Sequence, residues 1–579
     1  MKVRRPAVQR SAGRAKQSQP HPRRGKLLVS NCSQMSLIHH DEAAGTLSSL
    51  RLEQELAGLA WAIAQAGAIA KLTDPEFAVV ETALYMPHHD LDGIIASIRD
   101  GHDPLGNALV RLRSPSQRRP MGAVYTPPEI VDAMVGWIAA KEQPVRVVDP
   151  GAGSGRFIVE AGKRLPDASL VAVELDPLAA LLCRANLTAT GFDSRASVIV
   201  DDYREVSLDE CAGATAFVGN PPYVRHHQID SEWKGWLTAA ASANGLPVSA
   251  LAGLHIHFFL ATLLLAKPGD IGAFITSAEW MDVNYGCLLR EMLTDGLGGE
   301  SIHVVAPEAT PFENTAVTAA VTCFRVGSTA SSLRLRRVEQ VEELADLTAG
   351  HKVGKQQLKQ EKRWSQLLTP VQPMPEGYIE LGELCRVHRG SVTGANAIWI
   401  TRADDPALPG RTLFPSITRA RELFDTADGV LLNLGDLRAV IDLPEDLSEL
   451  GDEDRDLVER FLRLARTNGA HSSYVARHRN PWWSVGLRSP APILATYMAR
   501  RPPAFVRNPL GARCVNVAHG IYPRQPLTGA VLDALTASLR TSVSITQGRT
   551  YAGGLTKFEP SEMERIPVPS LALLEEIAA

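Results

Sequence analysis

The sequence predicts an α/β protein: a doubly wound, mostly parallel sheet with a helical segment before it and a mixed domain after it. Between Val145 and Val326, short β-branched runs ("VRVVDP", "SLVAVELD", "ASVIVDD", "TAFVGN", "DIGAFITS", "SIHVVAP", "VTAAVTCFRV") alternate with helical patterns, the rhythm of parallel strands covered by helices. The first of these strands passes through a glycine-rich turn, "VVDPGAGSGRF" (Val147–Phe157), straight into a helix. A chain of 579 residues is also long enough for about three or four domains.

In chain order, the first forty residues carry nine Lys or Arg and no acid. No apolar run follows them, so 1–44 reads as a basic, disordered tail rather than a secretory signal. Leu47–Lys71 and then "DPEFAVVETALYM" mix apolar and polar residues at helical spacing, which predicts a helical segment over 45–115. The α/β domain is expected over 116–330. From Leu333 to Leu368 the chain turns charged and poor in aromatics, predicting a linker over 331–375 and a further domain over 376–579.

In that last domain "EDLSELGDEDRDLVERFLRLAR" reads as an amphipathic helix with one solvated acidic face. From His471 to Arg524 come eight arginines, six aromatics and no Asp or Glu, a composition that suits a phosphate backbone and exposed bases. Arg479, Arg488, Arg500, Arg501 and Arg507 are the candidate nucleic-acid contacts. The competing reading makes them solvated arginines beside Trp482 and Trp483 packed in a core.

Composition excludes several classes. Hydrophobic content of 45% and charged content of 21% are ordinary for a globular protein, and no apolar run is long enough to span a bilayer. The seven cysteines are scattered without a CxxC pair, which signals neither a disulfide framework nor a zinc site and suits a reducing, cytoplasmic location. "HHD" at His39 and His88, and His255 and His257 flanking Ile256, read as surface loops and a helix cap, so no metal is expected.

The chemistry concentrates at four strand ends. Gly151, Gly153 and Gly155 follow GxGxG rather than GxGxxG spacing, which fits a nucleoside without pyrophosphate better than a dinucleotide. The first strand ends in Asp149. Glu174, nineteen residues beyond Gly155, closes the second strand, where a carboxylate accepts both ribose hydroxyls. Asp202 follows the third, placed to accept from an adenine amino group. The fourth runs into "GNPPYVRHH". There Asn220 supplies a side-chain carbonyl, Pro221 and Pro222 remove N–H donors and stiffen the turn, and Tyr223 offers a flat face to a ring. Two carbonyls converging on a conjugated amino group would localise its lone pair toward an incoming methyl group.

With these motifs the sequence resembles the amino-directed DNA methyltransferases of the gamma order, Taq type and type IIG, which carry N-P-P-Y or D-P-P-Y. "GAVYTPPEIVDAMV" is similar to the segment that precedes their glycine motif and touches the amino-acid end of the donor, with Tyr125 and Thr126 matching. "TPFENTAVTAAVTCF" resembles their last hairpin, whose aromatic, here Phe312, stacks on the flipped adenine opposite the tyrosine. "ELCRVHRGSVTGANAIWI" and "GRTYAGGLTKFEPSEMERIPVP" look like the two ends of their target-recognition domain.

The resemblance implies a Rossmann-like class I fold, S-adenosylmethionine as cofactor, and Phe157 and Tyr203 in the same cofactor site. It also implies methylation of adenine N6 in double-stranded DNA, beside a separately encoded restriction endonuclease or other defence-system subunits. Type IIG relatives often carry a PD…ExK nuclease, but "TDPEFAVVETAL" gives Asp74 and Glu81 without the following Lys and reads as helix and loop. Cytosine N4, a protein glutamine amide and an RNA guanine are the alternative targets of the same motif.

Overall fold

The structure is a computed structural model that describes residues 47, 50–68, 71–84, 90–114, 117, 126–141, 143–306, 309, 318–368, 374–544, 547–551 and 555–579. The basic tail lies outside them. The chain divides into two compact units, Met1–Pro370 and Val371–Ala579.

Among the described residues the first unit is built on nine strands: β1 (Arg146–Asp149), β2 (Ser169–Glu174), β3 (Ala196–Val200), β4 (Thr215–Gly219), β5 (Ile271–Ser277), β6 (Gly299–Val305), β7 (Ala319–Arg325), β8 (Ser332–Val338) and β9 (His351–Gly354). Their order is β3-β2-β1-β4-β5-β7-β6-β8-β9. The run from β3 to β5 is wholly parallel, and β7 enters antiparallel between β5 and β6. Strand order reverses between β1 and β4, the crevice where open parallel sheets bind ligands.

Alternation puts successive side chains on opposite faces. Val147, Ala216 and Val218 pack with helices α5 (Pro128–Ala139) and α6 (Arg156–Arg164). Val148, Phe217 and Phe274 face α8 (Ser231–Ala243), α9 (Leu254–Leu265) and α10 (Cys287–Thr294). On this latter side Phe259 meets Phe274 edge to face at 5.1 Å, and both are fully buried. Cutting such a ring back to Ala costs about 3–5 kcal/mol.

Upstream helices α1 (Glu53–Ala64), α2 (Asp74–Glu81), α3 (Leu91–Arg99) and α4 (Pro104–Leu112) share a core with α7 (Pro177–Thr190), through Leu56, Ile94 and Leu105 against Leu178, Leu181 and Leu182. Within α2, Glu76 is fully buried and bonds Arg184 of α7, whose Nη2 also donates to the Val198 carbonyl of β3 at 3.0 Å. A buried charge without such a partner would be strongly destabilising.

Residues 332–368 are not part of the linker that charge suggested over 331–375. In "SLRLRRV" Leu333 and Leu335 alternate with Arg334 and Arg336, which is the pattern of a strand with one buried face. β8 pairs parallel with β6 and antiparallel with β9, and Trp364 closes the same core. High charge density hid a period of two.

In the second unit β10 (Cys385–Arg389), β11 (Ile493–Thr496), β12 (Phe505–Arg507) and β13 (Ala518–Pro523) form an antiparallel sheet in the order β10-β13-β11-β12. Another four-stranded sheet uses Ile400–Thr401, Leu413–Ile417, Arg438–Ile441 and Arg513–Cys514. The acidic helix α11 (Asp452–Thr467) buries Val458, Leu462 and Ala465 and turns its carboxylates outward.

Candidate active site

The carboxyl ends of β1 to β4 open on a cavity of about 510 Å³, within the range usual for small-ligand sites. After β1 the chain needs left-handed backbone twice, at Gly153 (φ 55°) and Gly155 (φ 96°), where a side chain would be strained. A Cβ at Gly155 would also stand 2.8 Å from Cys183 Sγ, so this glycine lets α6 approach α7. Cys183 itself is buried packing, its thiol pushed up by desolvation.

Glu174, at the end of β2, ties the glycine loop to the next helix: Oε2 accepts from Gly153 N at 2.7 Å and Oε1 from Asp176 N at 2.9 Å. Each oxygen keeps a second lone pair for a ligand. Burial raises the carboxyl above its ordinary value, against the backbone bonds that lower it. Asp149 lies fully buried below the loop, its pKa pushed well up by desolvation, with Oδ2 finding no hydrogen-bond partner among the described residues.

Past β3, Asp202 is clamped by its near neighbour Arg204, Oδ1 taking Nε at 2.8 Å and Oδ2 taking Nη2 at 2.6 Å. That guanidinium lies 3.5 Å over the ring of Trp233. Tyr203 packs inward, hydroxyl on Thr262 Oγ1 at 2.9 Å, and forms part of the cavity wall with Phe157 and Phe258.

At β4 the Asn220 side chain is oriented by Thr126, whose Oγ1 accepts from Nδ2 at 3.0 Å. The Thr126 carbonyl in turn takes Arg156 Nη1 at 2.9 Å. In this arrangement the amide donates through Nδ2, and its Oδ1 is the end that can accept from an amine. Thr126, Asn220, Pro222 and Val224 line the cavity, and Pro221 is buried behind them. Tyr223 is half-buried beside that lining, its hydroxyl desolvated and raised in pKa, without a hydrogen-bond partner among the described residues. Tyr125 and Phe312 lie outside the described residues.

A sugar with two hydroxyls and a purine with an amino edge need acceptors on one wall and an apolar slot between. Glu174, Asp202, Leu175 and Phe258 provide that set, so the residues fit S-adenosylmethionine.

Some lining was invisible in the sequence. Gly106, Leu109, Val110 and Arg113 come from α4 and its end, Arg156 from α6, and Asp176 from the cap of α7. No motif marks them. His255 and His257, expected at the surface, are instead buried on α9, where desolvation lowers their pKa to about 4 and about 3. "LHIHFFLATLLL" is apolar on every side, and the helix takes its histidines inside with it.

The five candidate arginines divide. Arg507 pairs with Asp533 at 2.6 Å and donates to the Pro492 carbonyl, and Arg479 donates to the Val392 and Thr393 carbonyls. Arg501 is exposed over Phe424 at 3.6 Å, while Arg488 and Arg500 are exposed. Trp482 and Trp483 pack with Trp399 and Val458 in a core. Among the described residues no group of three or more His, Cys, Asp or Glu could hold a metal ion, and no helix is long and apolar enough to cross a membrane.

Comparison with known proteins agrees along the chain. Residues 107–246 match the family N-6 DNA Methylase, 211–305 match Eco57I restriction-modification methylase, and 362–579 match Type II methyltransferase M.Eco57I, C-terminal domain. Type II methyltransferase M.XamI of Xanthomonas campestris pv. amaranthicola is 50% identical over 532 residues, 90% of this chain and 99% of the relative. Type II methyltransferase M.AccI of Acinetobacter calcoaceticus is 20% identical over 483 residues, 79% of this chain and 87% of that one. The solved Type IIL restriction-modification enzyme MmeI in complex with DNA shares the fold, with a TM-score of 0.54 at 12% identity over 82% of this chain and 72% of that chain. Half-identity to M.XamI across nearly its whole length leaves one conclusion: the chain belongs to the type II DNA methyltransferases of restriction-modification systems.

Proposed function

We propose that the chain uses S-adenosylmethionine to methylate N6 of adenine at a specific site in double-stranded DNA, beside a separately encoded restriction endonuclease. The observation that carries this reading is the Asn220 amide, oriented by Thr126 on the wall of a cavity that also bears the Glu174 carboxylate. When bound, the donor supplies an electrophilic methyl group on a sulfonium.

The protein's part is to hold and orient. Glu174 takes the ribose hydroxyls, and Asp202, kept in place by Arg204, accepts from the purine amino edge. Thr126 and the glycine loop hold the amino-acid end. Pro221 and Pro222 have no N–H, so the Asn220 and Pro221 carbonyls accept both hydrogens of the target amine unopposed and localise its lone pair. Tyr223 stacks on the extruded base, with Phe312 as the other wall. Residues 376–579 read the site, and the exposed Arg488, Arg500 and Arg501 meet the DNA.

The test is incubation of the purified chain with methyl-labelled donor and, in parallel, plasmid DNA, RNA and a glutamine-containing peptide, followed by nucleoside analysis. Label in DNA as N6-methyladenine is expected. N4-methylcytosine would replace the base assigned here, and label confined to RNA or peptide would overturn the substrate.

A further inference from the structure

We infer that the upstream helix α4, with its cap Asp103, is a wall of the donor cavity, and that Asp103 and Arg113 are positioning residues for donor binding. The inference rests on the donor reading above and extends it to a helix upstream of the glycine motif.

The helix is fastened to the donor site at both ends. At its start Asp103 Oδ1 caps the helix through Gly106 N at 2.8 Å and accepts from Asn186 Nδ2 of α7 at 3.1 Å. Its Oδ2 takes Ser154 Oγ of the glycine loop at 2.5 Å and Arg156 Nε at 2.9 Å. One carboxylate therefore joins four partners, two of them in the glycine loop and the first turn of α6. Just past the other end, Arg113 pairs with Asp176, the cap of α7, and with Glu53 of α1 at 3.0 Å. Asp176 also gives its backbone N–H to Glu174.

Between these anchors Gly106, Leu109 and Val110 face the cavity. The approach is close enough to require a glycine: a Cβ at Gly106 would stand 2.2 Å from Asp103 Oδ2 and 2.4 Å from Ser154 Oγ. A helix fixed at both ends to the loop and carboxylate that hold the donor, with its side chains lining the same space, is part of that site. Donor binding then orders the helix, and loosening the helix weakens the donor.

The full-length protein is titrated with S-adenosylmethionine and S-adenosylhomocysteine by calorimetry, and amide hydrogen exchange is followed with and without each. In the wild type, ligand should slow exchange across 104–112. Asp103→Ala should weaken donor binding roughly tenfold, the worth of one hydrogen bond to a charged group. It should raise the donor KM by the same factor while kcat at saturating donor stays within about twofold. Asp103→Asn, which keeps one oxygen for the cap and offers its NH2 to Ser154 Oγ while losing the bond from Arg156, should recover part of the loss. Unchanged exchange across 104–112 in a wild-type protein that binds donor would overturn the inference and spare the donor reading. A wild-type protein that binds neither ligand would overturn both.

Discussion

In sequence the four strand ends of the first unit and the arginine-rich stretch near the end of the chain carry comparable chemical promise, yet folding treats them very differently. Parallel strands end at one edge, so Gly151, Glu174, Asp202 and Asn220, far apart in the chain, all line one cavity. The stretch from His471 to Arg524 has no such common edge. Arg507 is spent on Asp533, Arg513 on the Leu487 and Arg488 carbonyls and Arg479 on other loop carbonyls, while the tryptophans fill a core. A residue's position relative to a strand end proved more informative than the local abundance of its type.

The sharpest way to test the contrast is at Asn220. Asn220→Ala should cut kcat at least a hundredfold, about 3–4 kcal/mol, with donor affinity within about twofold. Retained turnover in labelled-methyl assays would break the claim that strand ends carry the chemistry.

Acid stability compares the units directly, since the first buries His255, His257 and His303 and the second His519, and burial lowers the pKa of both His255 and His519 from 6.5 to about 4. The unfolded chain binds protons below 6.5 that the folded chain refuses, so stability is present above 6.5 and lost as pH falls toward 4. For His255 the loss approaches on the order of 3 kcal/mol. His255→Phe should flatten the dependence of the first unit alone, as read by hydrogen exchange in each unit between pH 7 and 4. An unchanged slope would mean that this ring is not the sensor.

Smaller effects should separate the arginines. Arg507→Ala is expected to lower stability by about 1 kcal/mol through its lost carbonyl bond and ion pair, visible as an earlier denaturant midpoint. Arg488→Ala and Arg500→Ala should leave the midpoint in place and reduce the salt slope of DNA binding by about 1 if each meets a phosphate. If either instead relaxes site choice, that arginine reads a base.

Much of the sheet and of its cavity lining was legible because glycines, acids and N-P-P-Y each mark a place where backbone or charge must be special. What escaped had no such mark. Asp103 and Arg113 are ordinary helix-flanking polar residues until folding lays their helix on the glycine loop. The strand β8 was hidden by Arg334 and Arg336, which alternate with its buried leucines, and the buried His255 and His257 by the habit of placing histidine at the surface. In each case tertiary packing, rather than local pattern, decided the outcome.

The extension of the sheet by β8 and β9 also bears on how the protein keeps from sticking to itself. Open sheet edges are templates for intermolecular pairing, and long flat ones invite aggregation. Here one edge is β9, four residues long and carrying an exposed Lys352. At the opposite edge, β3, the Val198 carbonyl is already taken by Arg184. Both described edges of the sheet are thus short, and one carbonyl of β3 is withheld from a neighbouring copy.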